Sequence, residues 1–343
     1  MSAALCAPFP WFGGKRRVAA EVWRRFGNVR NYVEPFFGSG AVLLARPQPF
    51  AGVETVNDAD GLLCNFWRAV QADPAAVAAA ADWPVSECDL HARHAVLVER
   101  RAAITERLMG DPEWYDPKLA GWWVWGACGW IGTGWCAGNG PWVREGGRLV
   151  ERNAGQGINR QLPHLGNAGR GINRQLPHLG DAGRGINRQL PHLGDAGRGI
   201  AYAMSELSDR LRRVRIACGD WSRVLGDSVT WRHGLTAVFL DPPYDDGEMS
   251  YAAGGEGIAA DVRAWAQEAG RRPDMRIALC GYSEHDELAG AGWTRHAWKA
   301  HGGYGNRNGG DANVNRHREA VWFSPACLGA AQPGLFDALG GAA

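Results

Sequence analysis

The tetrapeptide Asp241-Pro242-Pro243-Tyr244 follows directly on the apolar run TAVFL at 236–240. Neither proline can donate a ladder hydrogen bond, so an extended run ends there in a stiff turn. In an open α/β sheet such a turn lies at the carboxyl edge, where ligands of these folds bind. It offers a carboxylate acceptor from Asp241, a carbonyl acceptor from Pro242 and an aromatic face from Tyr244. An amino group on a flat heterocycle can donate one hydrogen to each acceptor while its ring stacks on the tyrosine. Taken alone, the four residues are equally readable as a plain strand-ending turn.

Three further segments bear on a ligand. Glu34-Pro35-Phe36-Phe37-Gly38-Ser39-Gly40 ends a strand-like NYVEP, and Gly38 and Gly40 permit tight turning and close backbone approach. A dinucleotide fingerprint wants glycine again at position 43, where Leu43 stands, so a nicotinamide site is disfavoured. An acid at the start of such a loop suits a cofactor with an amino-acid end, such as S-adenosylmethionine. Trp11-Phe12-Gly13-Gly14-Lys15 can bring an ammonium to a carboxylate and an indole over an adenine or a methyl group. Asn57-Asp58 stands about twenty residues beyond the glycine loop, where an acid either accepts from ribose hydroxyls or caps a helix.

The elements that must position these residues read as alternating strands and helices. Strands are predicted at 31–35, 54–57, 214–218, 236–240, 276–280 and 319–323, with helical segments at 62–71 and 258–269. Apolar strands alternating with helices predict a mostly parallel sheet covered on both faces. A Gly/Ala/Pro-rich tail from Ser324 is expected to be disordered.

Two stretches interrupt the pattern. Ala168–Asp181 and Ala182–Asp195 are identical copies of AGRGINRQLPHLGD, and Ala154–Asn167 differs from them at Gln156 and Asn167 alone. Each unit has only Ile, Leu and Leu as sizeable apolar residues, too few for a conventional solenoid core, so the array is read as an insertion in a domain. Leu119–Val143 lacks any charged residue but holds seven Gly and six Trp, which argues against a membrane span. Gly-punctuated loops and short elements with buried or stacking tryptophans are expected there. Net charge is +1, yet residues 151–215 carry 11 Arg against 5 acidic residues, enough for a local basic surface. The amino terminus lacks the pattern of a signal peptide, and eight scattered cysteines form no CxxC pair, so a cytoplasmic protein with reduced thiols and no metal ligand set is expected.

In this order, aromatic-x-Gly-Gly-Lys, Glu-Pro-Phe-x-Gly-x-Gly and Asp-Pro-Pro-Tyr, the motifs resemble the DNA adenine methylase family of amino-methyltransferases. The resemblance covers residues 8–72 and about 205–323, and the repeats fall outside it. It implies a Rossmann-like, S-adenosylmethionine-dependent methyltransferase sheet with an inserted target-recognition region that carries the 14-residue tandem repeat. The expected division is 1–85 for the cofactor-binding part, 86–205 for target recognition, 206–325 for the catalytic part and 326–343 for the tail. The resemblance also implies cofactor contacts from Trp11, Lys15, Glu34, Phe36, Gly38, Gly40 and Asp58. Asp220, in the CGDW turn, falls where the family often places an acid facing the cofactor adenine. Asp241, Pro242, Pro243 and Tyr244 fall at the methyl-transfer centre, with Asp241 on the cofactor side as well.

The implied activity is methylation of adenine N6 in double-stranded DNA, by direct attack of a flipped base. N4-cytosine methylation and RNA adenine methylation use similar groups and stand as alternatives. A cytosine-C5 methylase needs a nucleophilic Cys, usually in Pro-Cys, and no Pro-Cys dipeptide occurs. A methylase-derived DNA-binding protein without activity would show damage to Asp241, Tyr244 or the glycine loop, and none is visible. A monomer or weak dimer is expected, and a cognate restriction endonuclease is an open partner.

Overall fold

A computed structural model of the chain describes residues 5–11, 14–130, 135–136, 142–145, 148–151, 199–243, 257–281, 283–298 and 319–329. The elements run α1 (Ala19–Phe26), β1 (Asn31–Glu34), α2 (Ala41–Leu44), β2 (Val53–Asp58), α3 (Gly61–Ala72), α4 (Pro74–Ala81), α5 (Glu87–Gly110) and α6 (Pro117–Gly129). A hairpin of β3 (Trp142–Glu145) and β4 (Arg148–Glu151) follows, then α7 (Ile200–Leu211), β5 (Val214–Cys218) and β6 (Thr236–Leu240). The last described elements are α8 (Ile258–Ala269), β7 (Met275–Gly281), β8 (Thr294–Ala297) and β9 (Ala320–Phe323).

Seven strands form one sheet in the order β5-β2-β1-β6-β7-β9-β8. All neighbours from β5 to β7 are parallel, and β9 runs antiparallel between β7 and β8. This is a mixed α/β architecture with a mostly parallel sheet, as a Rossmann-like methyltransferase requires. Side chains alternate across the sheet with the strand period of two. Tyr32, Ala237, Phe239, Ala278, Cys280, Val321 and Phe323 enter the larger core, while Val33, Val238, Leu240, Ile277, Leu279 and Trp322 enter the smaller one on the other side. Both faces are therefore dry, which is why TAVFL reads as a continuous apolar run and is buried at every position.

Helix starts follow local chemistry. The Asp73-Pro74 and Asp116-Pro117 pairs each combine an N-cap carboxylate with a proline at the first helical position, and the caps accept from Ala76 N at 3.1 Å and Leu119 N at 2.9 Å. Ser86 caps the long α5 in the same way. In α7 the buried Ile200, Met204, Leu207 and Leu211 recur at helical spacing and face α3 and α4.

Two expectations are corrected. Residues 117–129 form a continuous helix, not Gly-punctuated loops. The cost of glycine is offset by packing, since a Cβ at Gly121 would lie 2.5 Å from Ala80 Cβ, and one at Gly126 would overlap the Trp135 ring. Trp123 and Trp125 are buried, and the Trp125 indole donates to Trp83 O at 2.7 Å. The chain also stays ordered beyond Ser324, because Ser324 N donates to Ile277 O at 2.9 Å and Leu328 N to Arg25 O at 2.8 Å. From residue 330 onward the tail lies outside the described residues, as do the tandem repeats at 154–195. The helices α5 and α6 at the start of the segment assigned to target recognition pack on α3 and α4 and share their core. All eight cysteines are free. Among the described residues no helix is long and apolar enough to cross a membrane.

Candidate active site

The strand order reverses between β1 and β6, and the two motif-bearing loops leave the carboxyl ends of those two neighbouring strands. That is the switch point at which open α/β sheets form a crevice. The Glu34–Gly40 loop leaves β1, and Asp241-Pro242-Pro243 leaves β6.

The glycine loop needs its glycines. Gly38 and Gly40 have φ of 48° and 63°, in the left-handed region. A Cβ at Gly38 would come within 2.6 Å of Trp11 Nε1, and one at Gly40 within 2.7 Å of the Phe37 ring. Trp11 thus lies over Gly38 and remains 42% exposed. From below, Trp67 Nε1 donates to Gly38 O at 3.0 Å. Asp58 accepts from Gly38 N through Oδ2 and from Asp60 N through Oδ1, both at 3.0 Å. Burial raises the Asp58 pKa to about 6 against the lowering effect of those two backbone donors. Asn57 ties the end of β2 to two loops, its amide donating to Pro35 O at 3.1 Å and Gly219 O at 3.0 Å.

Other predicted residues take less expected places. Glu34 is buried, and its Oε2 accepts from Tyr32 Oη at 2.8 Å. Burial pushes its pKa well up, the hydrogen bond from Tyr32 opposes the shift, and the charge of Asp241 reinforces it. Asp220 is exposed and caps the turn that follows it, accepting from Ser222 N at 2.9 Å. Phe36 stacks on Trp221 with ring centroids 6.2 Å apart and planes 25° from parallel. Trp221 escaped the sequence reading although it stands next to Asp220.

The charged centre of the site is a buried triad. Lys15, in a single 3₁₀ turn ahead of α1, places Nζ 2.9 Å from Asp241 Oδ2 and 2.7 Å from Glu319 Oε1. The side chains of Lys15, Glu319 and Asp241 are 4%, 6% and 23% exposed. Burial alone would lower the Lys15 pKa, but the carboxylates overcome it and hold the ammonium above the ordinary lysine value. The carboxylates that the Lys15 ammonium meets among the described residues are the protein's own, Asp241 and Glu319. Glu319 was not foreseen; its one signal is an acid directly ahead of the wholly buried AVWF strand. Pro242 is buried and Pro243 partly so, while Tyr244 lies outside the described residues.

The residues present fit a nucleoside cofactor with an amino-acid end. Asp58 is an acceptor at the end of β2, Asn57 Oδ1 is buried without a partner among the described residues, and the half-exposed Trp11 indole lies over the glycine loop. Among the same residues there is no cluster of His, Cys, Asp or Glu able to hold a metal ion. Residues 11–89 match the model of a family described as D12 class N6 adenine-specific DNA methyltransferase. No curated protein matches the chain.

Proposed function

We propose that this chain, whose residues 11–89 match the D12 class N6 adenine-specific DNA methyltransferase model, methylates adenine N6 at specific sites in double-stranded DNA with S-adenosylmethionine as donor. The observation that carries the reading is the Asp241-Pro242 turn at the switch point, with its carboxylate held by Lys15 and partly open to solvent.

When bound, S-adenosylmethionine supplies an electrophilic methyl group. Gly38 and Gly40 give the loop the left-handed turns that seat it under Trp11 and against Phe37, Asp58 accepts from ribose hydroxyls, and Phe36 forms an apolar wall near Asp220. Trp11 covers the loop, Glu34 supports it from beneath, and Lys15 contributes its charge through Asp241. The exocyclic amine of adenine is a poor nucleophile because its lone pair is delocalised into the ring. Hydrogen bonds from that amine to the Asp241 carboxylate and the Pro242 carbonyl favour a pyramidal nitrogen and orient it. They also stabilise the positive charge that develops on it. Pro243 stiffens the turn, and Tyr244 stacks on the base. The base must leave the duplex to reach this turn, at a cost of a few kcal/mol, and stacking on Tyr244 returns about 1–3 kcal/mol.

Expressing the protein and sequencing host DNA with a modification-sensitive method tests base, atom and site together. N6-methyladenine in a defined sequence context is expected. Methylation confined to cytosine N4 or to RNA would overturn the proposal.

A further inference from the structure

We infer that Glu319 is a positioning residue for methyl transfer: it holds the Lys15 ammonium from the side away from solvent and so fixes the orientation and acceptor strength of Asp241. The inference rests on the activity proposed above. A lysine reaches its partner through a flexible four-carbon stem, so one ion pair leaves the ammonium free to swing. Two carboxylates at 2.9 and 2.7 Å remove that freedom.

The topology explains how a residue so late in the chain reaches the site. Because β9 is antiparallel, its first residue lies beside the carboxyl end of β7, with Ala320 opposite Gly281. Glu319 therefore enters at the same sheet edge as Asp241. Its backbone is held there by Trp298, whose N donates to Glu319 O at 3.4 Å and whose ring centroid lies 5.9 Å from Lys15 Nζ.

Stoichiometry adds a second effect. Among the described residues one ammonium is shared between two carboxylates, so Asp241 is oriented without being fully neutralised by Lys15 and remains a strong acceptor. Asp241 is also the most exposed of the three, which makes it the member that meets an incoming base. Replacing Glu319 by a neutral residue removes one of the two carboxylates that share the Lys15 ammonium among the described residues, turning more of its charge onto Asp241, weakening the acceptor and releasing the ammonium from its anchor.

The test is a cycle of Glu319→Gln, Glu319→Ala, Lys15→Ala and the Lys15→Ala/Glu319→Ala double variant. Single-turnover methyl transfer is measured at saturating S-adenosylmethionine and DNA, KM for each substrate comes from steady-state rates over a concentration series, and cofactor affinity and thermal unfolding are followed in parallel. The expected rate loss is about tenfold for Glu319→Gln and about a hundredfold for Glu319→Ala, the scale of a misplaced reacting group. KM for both substrates should stay within about threefold, as expected for an interaction that acts in the transition state. The double variant should be no slower than Lys15→Ala, because Glu319 acts through Lys15. Glu319→Gln is nearly isosteric and keeps the test open if the alanine variant misfolds. A Glu319→Gln rate equal to wild type, losses that appear in KM alone, or additive effects of the two alanine changes would overturn the inference while leaving the proposed activity standing. A wild-type protein that binds S-adenosylmethionine but methylates no DNA overturns both.

Discussion

Two buried ionic triads among the described residues are built in opposite senses. At the carboxyl edge one ammonium, Lys15, serves two carboxylates. Against the helical face of the sheet one carboxylate, Glu54 of β2, serves two guanidinium groups. Arg46 Nη1 lies 3.0 Å from Glu54 Oε1, and Arg210 Nη1 2.7 Å from Oε2. Two further donors of this second triad are directed into the protein: Arg46 donates to Val29 O at 2.7 Å and Arg210 to Leu43 O at 2.9 Å, and both guanidinium planes lie over Phe50. Glu54 is 2% exposed, against 23% for Asp241. The closed triad clamps α2 and α7 to the sheet. The one at the edge keeps its most exposed carboxylate toward solvent. The contrast sets a structural use of buried charge against the chemical one proposed for Asp241, and it is testable from both ends.

The largest effect on stability is expected from Glu54→Ala. It leaves two buried guanidinium groups facing each other and should cost about 3–5 kcal/mol, read as a fall in denaturation midpoint. The methyl-transfer rate per folded molecule should not change. A variant as stable as wild type would show that the two triads do not differ as described. The complementary change is Asp241→Ala, which should lower the methyl-transfer rate by about 10²–10³, the scale of losing one oriented partner of a transition state. Cofactor affinity should fall much less. A rate within threefold of wild type would remove Asp241 from the mechanism.

These triads also mark where sequence reading succeeds and where it stops. Strands 214–218 and 236–240 and the helix at 258–269 are legible to the residue, because both-face burial and helical period leave local patterns. The glycine loop is legible because positive φ restricts the residue type at Gly38 and Gly40. In α6 the same residue type signals something else, close helix contact at Gly121, which depends on Ala80 and Val77 of α4. No local pattern can announce such a partner. Glu319 and Arg210 are likewise single charges whose meaning lies some 300 and 156 residues away in the chain, at Lys15 and Glu54.

A smaller effect is expected at the rim of the site, where Asp58 links the glycine loop to β2. Asp58→Ala should weaken S-adenosylmethionine binding by about 1.5–3 kcal/mol, the worth of a hydrogen bond to a charged group, with the methyl-transfer rate at saturation changed less. Calorimetry showing unchanged affinity would assign Asp58 to loop structure alone and leave the ribose without its proposed acceptor.

The smallest effect follows from the ionisation of that same carboxyl. Its pKa is raised to about 6 from the usual aspartate value of 3.8 by burial. Binding that requires the charged acceptor should be constant above about pH 7 and weaken below 6. At pH 5 roughly one molecule in ten carries the ionised group, so affinity should fall about tenfold, or about 1.4 kcal/mol. The sign for folding is opposite. A carboxyl whose folded pKa is raised binds its proton more tightly in the native state, so its contribution favours the fold below about pH 4 and is lost as pH rises through about 6. Measured between pH 5 and 8, cofactor affinity should rise with pH while the Asp58 contribution to stability declines. Asp58→Asn should flatten both trends. An Asp58→Asn protein whose cofactor affinity keeps the wild-type pH dependence would place the titrating group elsewhere in the crevice.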